Sequence, residues 1–247
     1  MLQALASVLF VLIQLIVTPF YALFVLLCAP LPAAPRYSAI MGWTWFFTWL
    51  ADKLCGVRFE VIGKENIPQN QSLIVTAKHS STWETLSLAY MFRPASFIAK
   101  RELLWIPFFG WGFALSSPIT INRSAGSQAM AQMVSQGTRR VRNGFNIIIF
   151  PEGTRIKAGY TGKYKTGCAR LAIGLSEAGA NTLILPIAHN AGYCWPKGTY
   201  LKKRGLVTLS ILPPIDPTGY EPGALTAELE RVIETETLRL GDPRGKA

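Results

Sequence analysis

Ser72-Leu73-Ile74-Val75-Thr76 runs directly into Ala77-Lys78-His79-Ser80-Ser81-Thr82-Trp83-Glu84-Thr85. The first five residues are a short apolar run of the kind that makes a buried strand. Trp83 to Met91 reads as a helix. His79, one of two histidines in the chain, then falls on the turn at the carboxyl end of that strand. Open α/β sheets have their crevice at such turns.

The spacing restricts what His79 and Glu84 can do together. On one continuous helix five positions are about 500° apart, which puts the side chains on different faces. They meet only if His79 lies on the turn and Glu84 in the first turn of the helix, where a carboxylate also suits the dipole. Glu84 could then accept the Nδ1–H of His79, fix the tautomer and leave Nε2 free as a base. A solvated histidine beside an unrelated helix-capping glutamate reads equally well from this stretch alone.

Working outward, the composition narrows the partners. A chain of 247 residues can hold one α/β core with an appendage. Apolar residues make up 50% and the mean hydropathy is +0.26, so part of the chain is expected to meet lipid. The net charge of +11 favours anionic partners: a membrane surface or a phosphorylated substrate. Nucleic acid is not expected, because no zinc pattern, RNP-like motif or base-reading basic helix is present. Cys28, Cys55, Cys168 and Cys194 form no C-x-x-C pair, so buried free thiols are expected and neither a disulfide framework nor a metal site.

Met1 to Pro35 contains no charged side chain, and Leu2 to Leu27 is apolar and long enough to cross a bilayer core of about 30 Å. Pro19 should kink it. Pro30, Pro32 and Pro35 make a stiff break before Tyr37 to Leu54, which carries Trp43, Trp45, Phe46, Phe47 and Trp49. Such aromatics favour the headgroup boundary. A cleaved signal peptide does not fit, for want of a basic n-region. A helical hairpin dipping into one leaflet explains both segments together, and a single crossing helix followed by an interfacial one is the other reading. Residues 1–55 are therefore expected to anchor the chain and 56–247 to form the α/β domain.

Within 56–247, strand-like runs at Val57–Ile62, Ser72–Thr76, Ser96–Ala99, Pro118–Ile121, Phe145–Phe150, Thr182–Ile187 and Leu206–Leu212 alternate with helical patterns. The helical patterns are Trp83–Met91, Ser127–Arg142, Gly167–Ala178 and Leu225–Leu240, and a mixed sheet flanked by helices is expected. The aromatic stretch Trp105 to Leu115 reads either as a helix on the core or as a lipid-facing flap. Several strand ends carry polar residues: His79 with Glu84, Lys100-Arg101, Asn122-Arg123 and Glu152-Gly153-Thr154-Arg155. Gathered on one edge, they would set a His–carboxylate pair against cations able to dock a phosphate monoester. Gly153 would let backbone approach a ligand.

These blocks also carry a resemblance. Lys78 to Glu84, Lys100-Arg101-Glu102-Leu103, Ile121-Asn122-Arg123, Phe150-Pro151-Glu152-Gly153-Thr154-Arg155 and Leu185-Pro186-Ile187 resemble, in order, the motif set of the glycerolipid acyltransferases. The likeness is greatest to the bacterial 1-acyl-sn-glycerol-3-phosphate acyltransferases and runs from about Val57 to Pro214. One position departs: the family pattern is His-x4-Asp, and this chain has Glu84.

The resemblance implies transfer of a fatty acyl group from acyl-CoA or acyl carrier protein to the sn-2 hydroxyl of 1-acyl-sn-glycerol-3-phosphate, without a cofactor. By matched position His79 and Glu84 are catalytic. Glu152, Gly153, Thr154 and Arg155 bind the acceptor, with Arg155 on its phosphate, and Lys100 and Arg123 assist. Acyl-CoA and acyl carrier protein are cytoplasmic, which implies a domain on the cytoplasmic face of a bacterial inner membrane. There the basic loops Lys157–Lys165 and Lys197–Arg204 would meet anionic lipid. Another lysolipid acceptor, such as a lyso-ornithine lipid, or a catalytically silent lipid-binding protein, are the competing readings. His189 matches no motif and reads as structural.

Overall fold

The computed structural model describes residues 1–121 and 126–244. Its strands are β1 (Val57–Ile62), β2 (Leu73–Ala77), β3 (Ala95–Lys100), β4 (Ile119–Ile121), β5 (Asn146–Ile149), β6 (Leu183–His189) and β7 (Gly205–Ile211). They form one mixed sheet in the order β1-β7-β6-β2-β5-β3-β4. β6, β2, β5, β3 and β4 run parallel, and β7 reverses against β6 and carries β1 with it. The carboxyl ends of β2, β5 and β6, the three central parallel strands, therefore meet at one edge.

The strand faces sort by period two. On β2, Leu73, Val75 and Ala77 join an apolar cluster on one side of the sheet, and Ile74 joins another on the opposite side. The first cluster is covered by α1 (Leu2–Leu27), α2 (Ala33–Cys55) and α3 (Trp83–Met91), through Phe10, Val25, Met41, Phe47 and Leu88. The second is covered by α5 (Gly126–Arg142), α6 (Gly167–Glu177) and α8 (Pro222–Leu240), through Met133, Leu171, Leu175, Leu225 and Leu229. Between β3 and β4 lies α4 (Phe109–Leu115), and after β6 a short α7 (Ala191–Cys194).

Two helices precede the sheet, as expected, and the proline break between them is short. α1 continues through Pro19. α2 starts at Ala33 with Pro35 in its first turn, where a missing N–H removes no intrahelical bond. It ends at Gly56, whose φ of 66° closes the left-handed cap. α1 is the one helix, among the described residues, long and apolar enough to cross a membrane, and only 17% of its most apolar window is buried. Leu5, Leu9, Leu12, Ile16, Phe20 and Leu23 form a bare stripe along it. That face fits membrane association.

The start of α1 is bolted to the end of α2 and to the loop before β7. Gln3 donates to the carbonyls of Cys55 and Lys202, and Ser7 Oγ accepts the Lys202 N–H at 3.0 Å. The Lys202 ammonium sits 3.9 Å from the Phe10 ring centroid and 4.6 Å from that of Trp195. Burial pulls its pKa down to about 8. The four cysteines are free and buried.

The aromatic stretch is a 3-10 turn (Arg101–Trp105) followed by α4. Its aromatics face two ways. Phe109 and Phe113 line an interior cavity, while Trp105 and Trp111 remain exposed.

Candidate active site

His79 leaves the end of β2 and its ring turns toward α3. Nδ1 lies 2.9 Å from Glu84 Oε1. The same oxygen accepts the backbone N–H of Ser80 at 2.9 Å and of Ser81 at 2.8 Å. Ser81 Oγ in turn accepts the Trp83 N–H at 3.0 Å, which starts the helix. The turn and the first helical turn thus bring the two residues together by the local route the spacing requires.

Glu84 is wholly buried. Burial raises the cost of its charge, but the donors gathered on Oε1 outweigh it and the carboxyl lies below its usual range. An ionised Glu84 can only accept, so Nδ1 of His79 carries the proton and Nε2 presents its lone pair. The His79 side chain is 17% exposed, and Nε2 has no hydrogen-bond partner among the described residues. Phe150 stacks on the ring, with centroids 4.0 Å apart and planes 12° apart.

The backbone of His79 is held on both sides by the segment after β5. Glu152 Oε1 accepts the His79 N–H at 3.1 Å, and the Ile156 N–H donates to the His79 carbonyl at 2.7 Å. Glu152 is 2% exposed, and burial pushes its carboxyl up to about 7. Its Oε1 faces the His79 backbone and the Lys78 ammonium. Strand-end motifs report proximity, and the direction of each side chain then depends on the turn.

The rest of that block is arranged differently. Gly153 has φ 67° and donates its N–H to the Phe150 carbonyl, so glycine serves the tight turn. Thr154 is exposed. Arg155 is half-buried and donates to Thr82 Oγ1 at 2.8 Å, between the β5 loop and the start of α3. Lys100 ends β3 at the same edge, exposed and without a polar contact to the dyad. Arg123 lies outside the described residues.

Beneath the turn is a buried ionic cluster that the motifs do not show. Lys78, 1% exposed, donates to Glu234 Oε1 at 2.6 Å and to the Tyr160 carbonyl at 3.3 Å, and its Nζ is 3.8 Å from Glu152 Oε1. Tyr164 donates to Glu234 Oε1 at 3.1 Å and Thr161 to Oε2 at 3.3 Å. Burial, with Glu152 and Glu234 nearby, raises the Tyr164 phenol and keeps it protonated. Behind Glu84, His189 Nε2 lies 2.8 Å from the Lys78 carbonyl, and His189 Nδ1 accepts the Ala191 N–H at 3.3 Å. Burial holds that imidazole below its usual range, so it is neutral with its proton on Nε2. His189 ends β6, two residues past the last β2–β6 pair, Ala77 with Ile187, and its place after the apolar run Thr182–Ile187 was the available signal.

An apolar cavity of about 100 Å³ opens between α1, α2, α3 and α4, lined by Tyr37, Met41, Leu86, Phe97, Phe109 and Phe113 among others. Phe97 also stacks near Phe150, with centroids 6.2 Å apart, so the apolar lining continues to the His79 ring. A broader groove of about 920 Å³ between α5 and α6 touches no dyad residue.

A strand-end imidazole backed by a buried carboxylate thus lies beside an apolar cavity and an arginine. The chain belongs to the acyltransferase family, whose model matches residues 58–190. It is 43% identical over 205 residues to the 1-acyl-sn-glycerol-3-phosphate acyltransferase of Pseudomonas aeruginosa, spanning 83% of this chain and 77% of that one. To the Borreliella burgdorferi enzyme of the same name it is 31% identical over 194 residues, 76% of this chain and 75% of that one. The crystal structure of the 1-acyl-sn-glycerophosphate (LPA) acyltransferase PlsC from Thermotoga maritima superimposes with a TM-score of 0.76 at 25% identity, covering 96% of this chain and 95% of that one.

Proposed function

We propose that the chain is a 1-acyl-sn-glycerol-3-phosphate acyltransferase, which joins a fatty acyl group from acyl-CoA or acyl carrier protein to the sn-2 hydroxyl of its acceptor and yields phosphatidic acid. The observation that carries this is the 2.9 Å His79 Nδ1–Glu84 Oε1 contact, which leaves Nε2 open. The names of the matched relatives support the same acceptor.

A secondary alcohol needs a base at hydrogen-bond distance to attack near neutral pH. Nε2 of His79 takes the hydroxyl proton as the oxygen adds to the thioester carbonyl carbon. Glu84 keeps the ring oriented and stabilises the imidazolium. The tetrahedral adduct then collapses, the C–S bond breaks, and the proton passes from His79 to the thiolate. The product is an ester plus a free thiol.

Arg155 binds the acceptor phosphate, and Lys100, Gly153, Thr154 and Arg123 complete the acceptor side. Glu152 acts on the site through the His79 backbone. The acyl chain passes the cavity lined by Phe97, Phe109 and Phe113, which at about 100 Å³ takes a few of its methylenes. Residues 1–55 anchor the protein and hold the 56–247 domain on the cytoplasmic face of the bacterial inner membrane, with the basic loops against anionic lipid. The donors' cytoplasmic location supports that side.

The test is thiol release from palmitoyl-CoA by the detergent-purified protein with lysophosphatidate as acceptor. Acceptor-dependent release that His79→Ala loses by about 10²-fold or more supports the reading. No release with either acyl-CoA or acyl carrier protein as donor would refute it.

A further inference from the structure

We propose that His189 is a positioning residue for the Glu84–His79 pair, fixing the carboxylate from behind while it holds the turn from below. The inference rests on the dyad proposed above. Glu84 has two oxygens in unlike surroundings. Oε1 accepts from His79, Ser80 and Ser81. Oε2 is buried and has no hydrogen-bond partner among the described residues, and it faces His189 Nε2 at 3.9 Å.

A buried carboxylate oxygen without a donor is unstable in place, because rotation toward any donor or water lowers its energy. Three N–H groups hold Oε1, and the imidazole closes the space at Oε2. His189 cannot drift either. Its Nε2–H is spent on the Lys78 carbonyl and its Nδ1 on the Ala191 N–H. Lys78 precedes His79, so one ring both supports the backbone beside the base and faces the carboxylate that orients it. The Trp83 ring, 6.5 Å away by centroids, covers the other flank of that imidazole. Exclusion of water behind Glu84 keeps its field on His79 undiluted.

The chain has two histidines, so ¹⁵N-histidine labelling reports both rings separately. In the full-length protein in detergent, His79 is expected as the Nδ1–H tautomer and His189 as the Nε2–H tautomer. His189→Leu should turn His79 into a mixture of tautomers. His189→Gln, which keeps an amide donor near the Nε2 position, should preserve the single tautomer. This arm needs no turnover, so it stands apart from the choice of substrate.

The kinetic arm uses the acyl-transfer assay. His189→Leu should lower kcat about tenfold with both KM values within about twofold, and His189→Gln should recover most of the loss. Glu84→Asp withdraws the carboxylate from His189 by one methylene, and on that background His189→Leu should cost less than about threefold. Should His189→Leu fail to fold, His189→Asn, too short to reach the Lys78 carbonyl, takes its place. An unchanged His79 tautomer with equal losses on both backgrounds would overturn the proposal and leave His189 as packing.

Discussion

Lys78 donates to Glu234 across 2.6 Å, although 156 positions separate them in the chain. The contact ties the last helix, α8, to the residue before the proposed base. Because Lys78 is buried, removing Glu234 leaves an ammonium with only the more distant Glu152 as counter-charge.

Glu234→Leu is therefore expected to cost about 3 kcal/mol of stability, the low end for breaking a buried pair. Lys78→Met/Glu234→Leu together should recover much of it, because no ammonium is then stranded. Denaturant melts in detergent read both. Single variants as stable as the parent would show that the pair is idle.

The raised Glu152 carboxyl gives a signed pH effect. Its folded pKa, about 7, lies above that of the unfolded chain. Below the unfolded value both states are protonated and its contribution is fully present. As pH rises toward 7 the folded state alone holds the proton, and stability is lost by an amount on the order of 3 kcal/mol. Glu152→Gln should flatten that window, between about pH 4.5 and 7, in a series of thermal midpoints. An unchanged slope would mean that another group titrates.

Arg155 offers a separable effect on binding. Arg155→Ala should raise KM for lysophosphatidate by about 10–100-fold, the worth of a charged hydrogen bond. Thr82→Ala, which removes the partner of the Arg155 guanidinium, should produce a smaller rise. A monoacylglycerol acceptor, having no phosphate, serves as the control. Equal losses with both acceptors would place Arg155 outside phosphate binding.

The bare stripe on α1 predicts how the protein holds lipid. Salt at 1 M should weaken flotation with anionic vesicles by screening the basic loops, yet should not release the protein. Leu12→Asp/Phe20→Asp should release it, each acid costing about 2.5–3.5 kcal/mol at the centre of a bilayer. Clean release by salt alone would mean that α1 is not an anchor.

The dyad was legible because it is local: a strand, a five-residue turn and the first turn of a helix dictate where residues 79 and 84 meet. The seven strands were legible from apolar runs, with edges shifted by a residue or two. The reversal of β7 and β1 was not, since hydrophobic period says which face a strand buries and nothing about its direction. Lys78–Glu234 and His189–Glu84 were hidden for a different reason. Each joins residues more than a hundred positions apart, and only the packing of α8 and β6 around β2 brings them together. The hold of Glu152 on the His79 N–H was hidden as well, since it joins residues 73 positions apart. Trp105 to Leu115 stayed ambiguous because its aromatics serve two surroundings, one inside the cavity and one outside.

The lock formed by Phe10, Ser7 and Lys202 sets the order in which the molecule can be completed. The first helix leaves the ribosome almost two hundred residues before its fastener at Lys202 is made. At about 5–20 residues per second that is a wait of about ten to forty seconds. Through that interval α1 has only α2 to lie against, through Phe10 on Phe47 and Trp43 on Thr18, and its bare stripe fits a bilayer. The α1–α2 pair can therefore form long before the lock, and the sheet domain closes onto it late in synthesis.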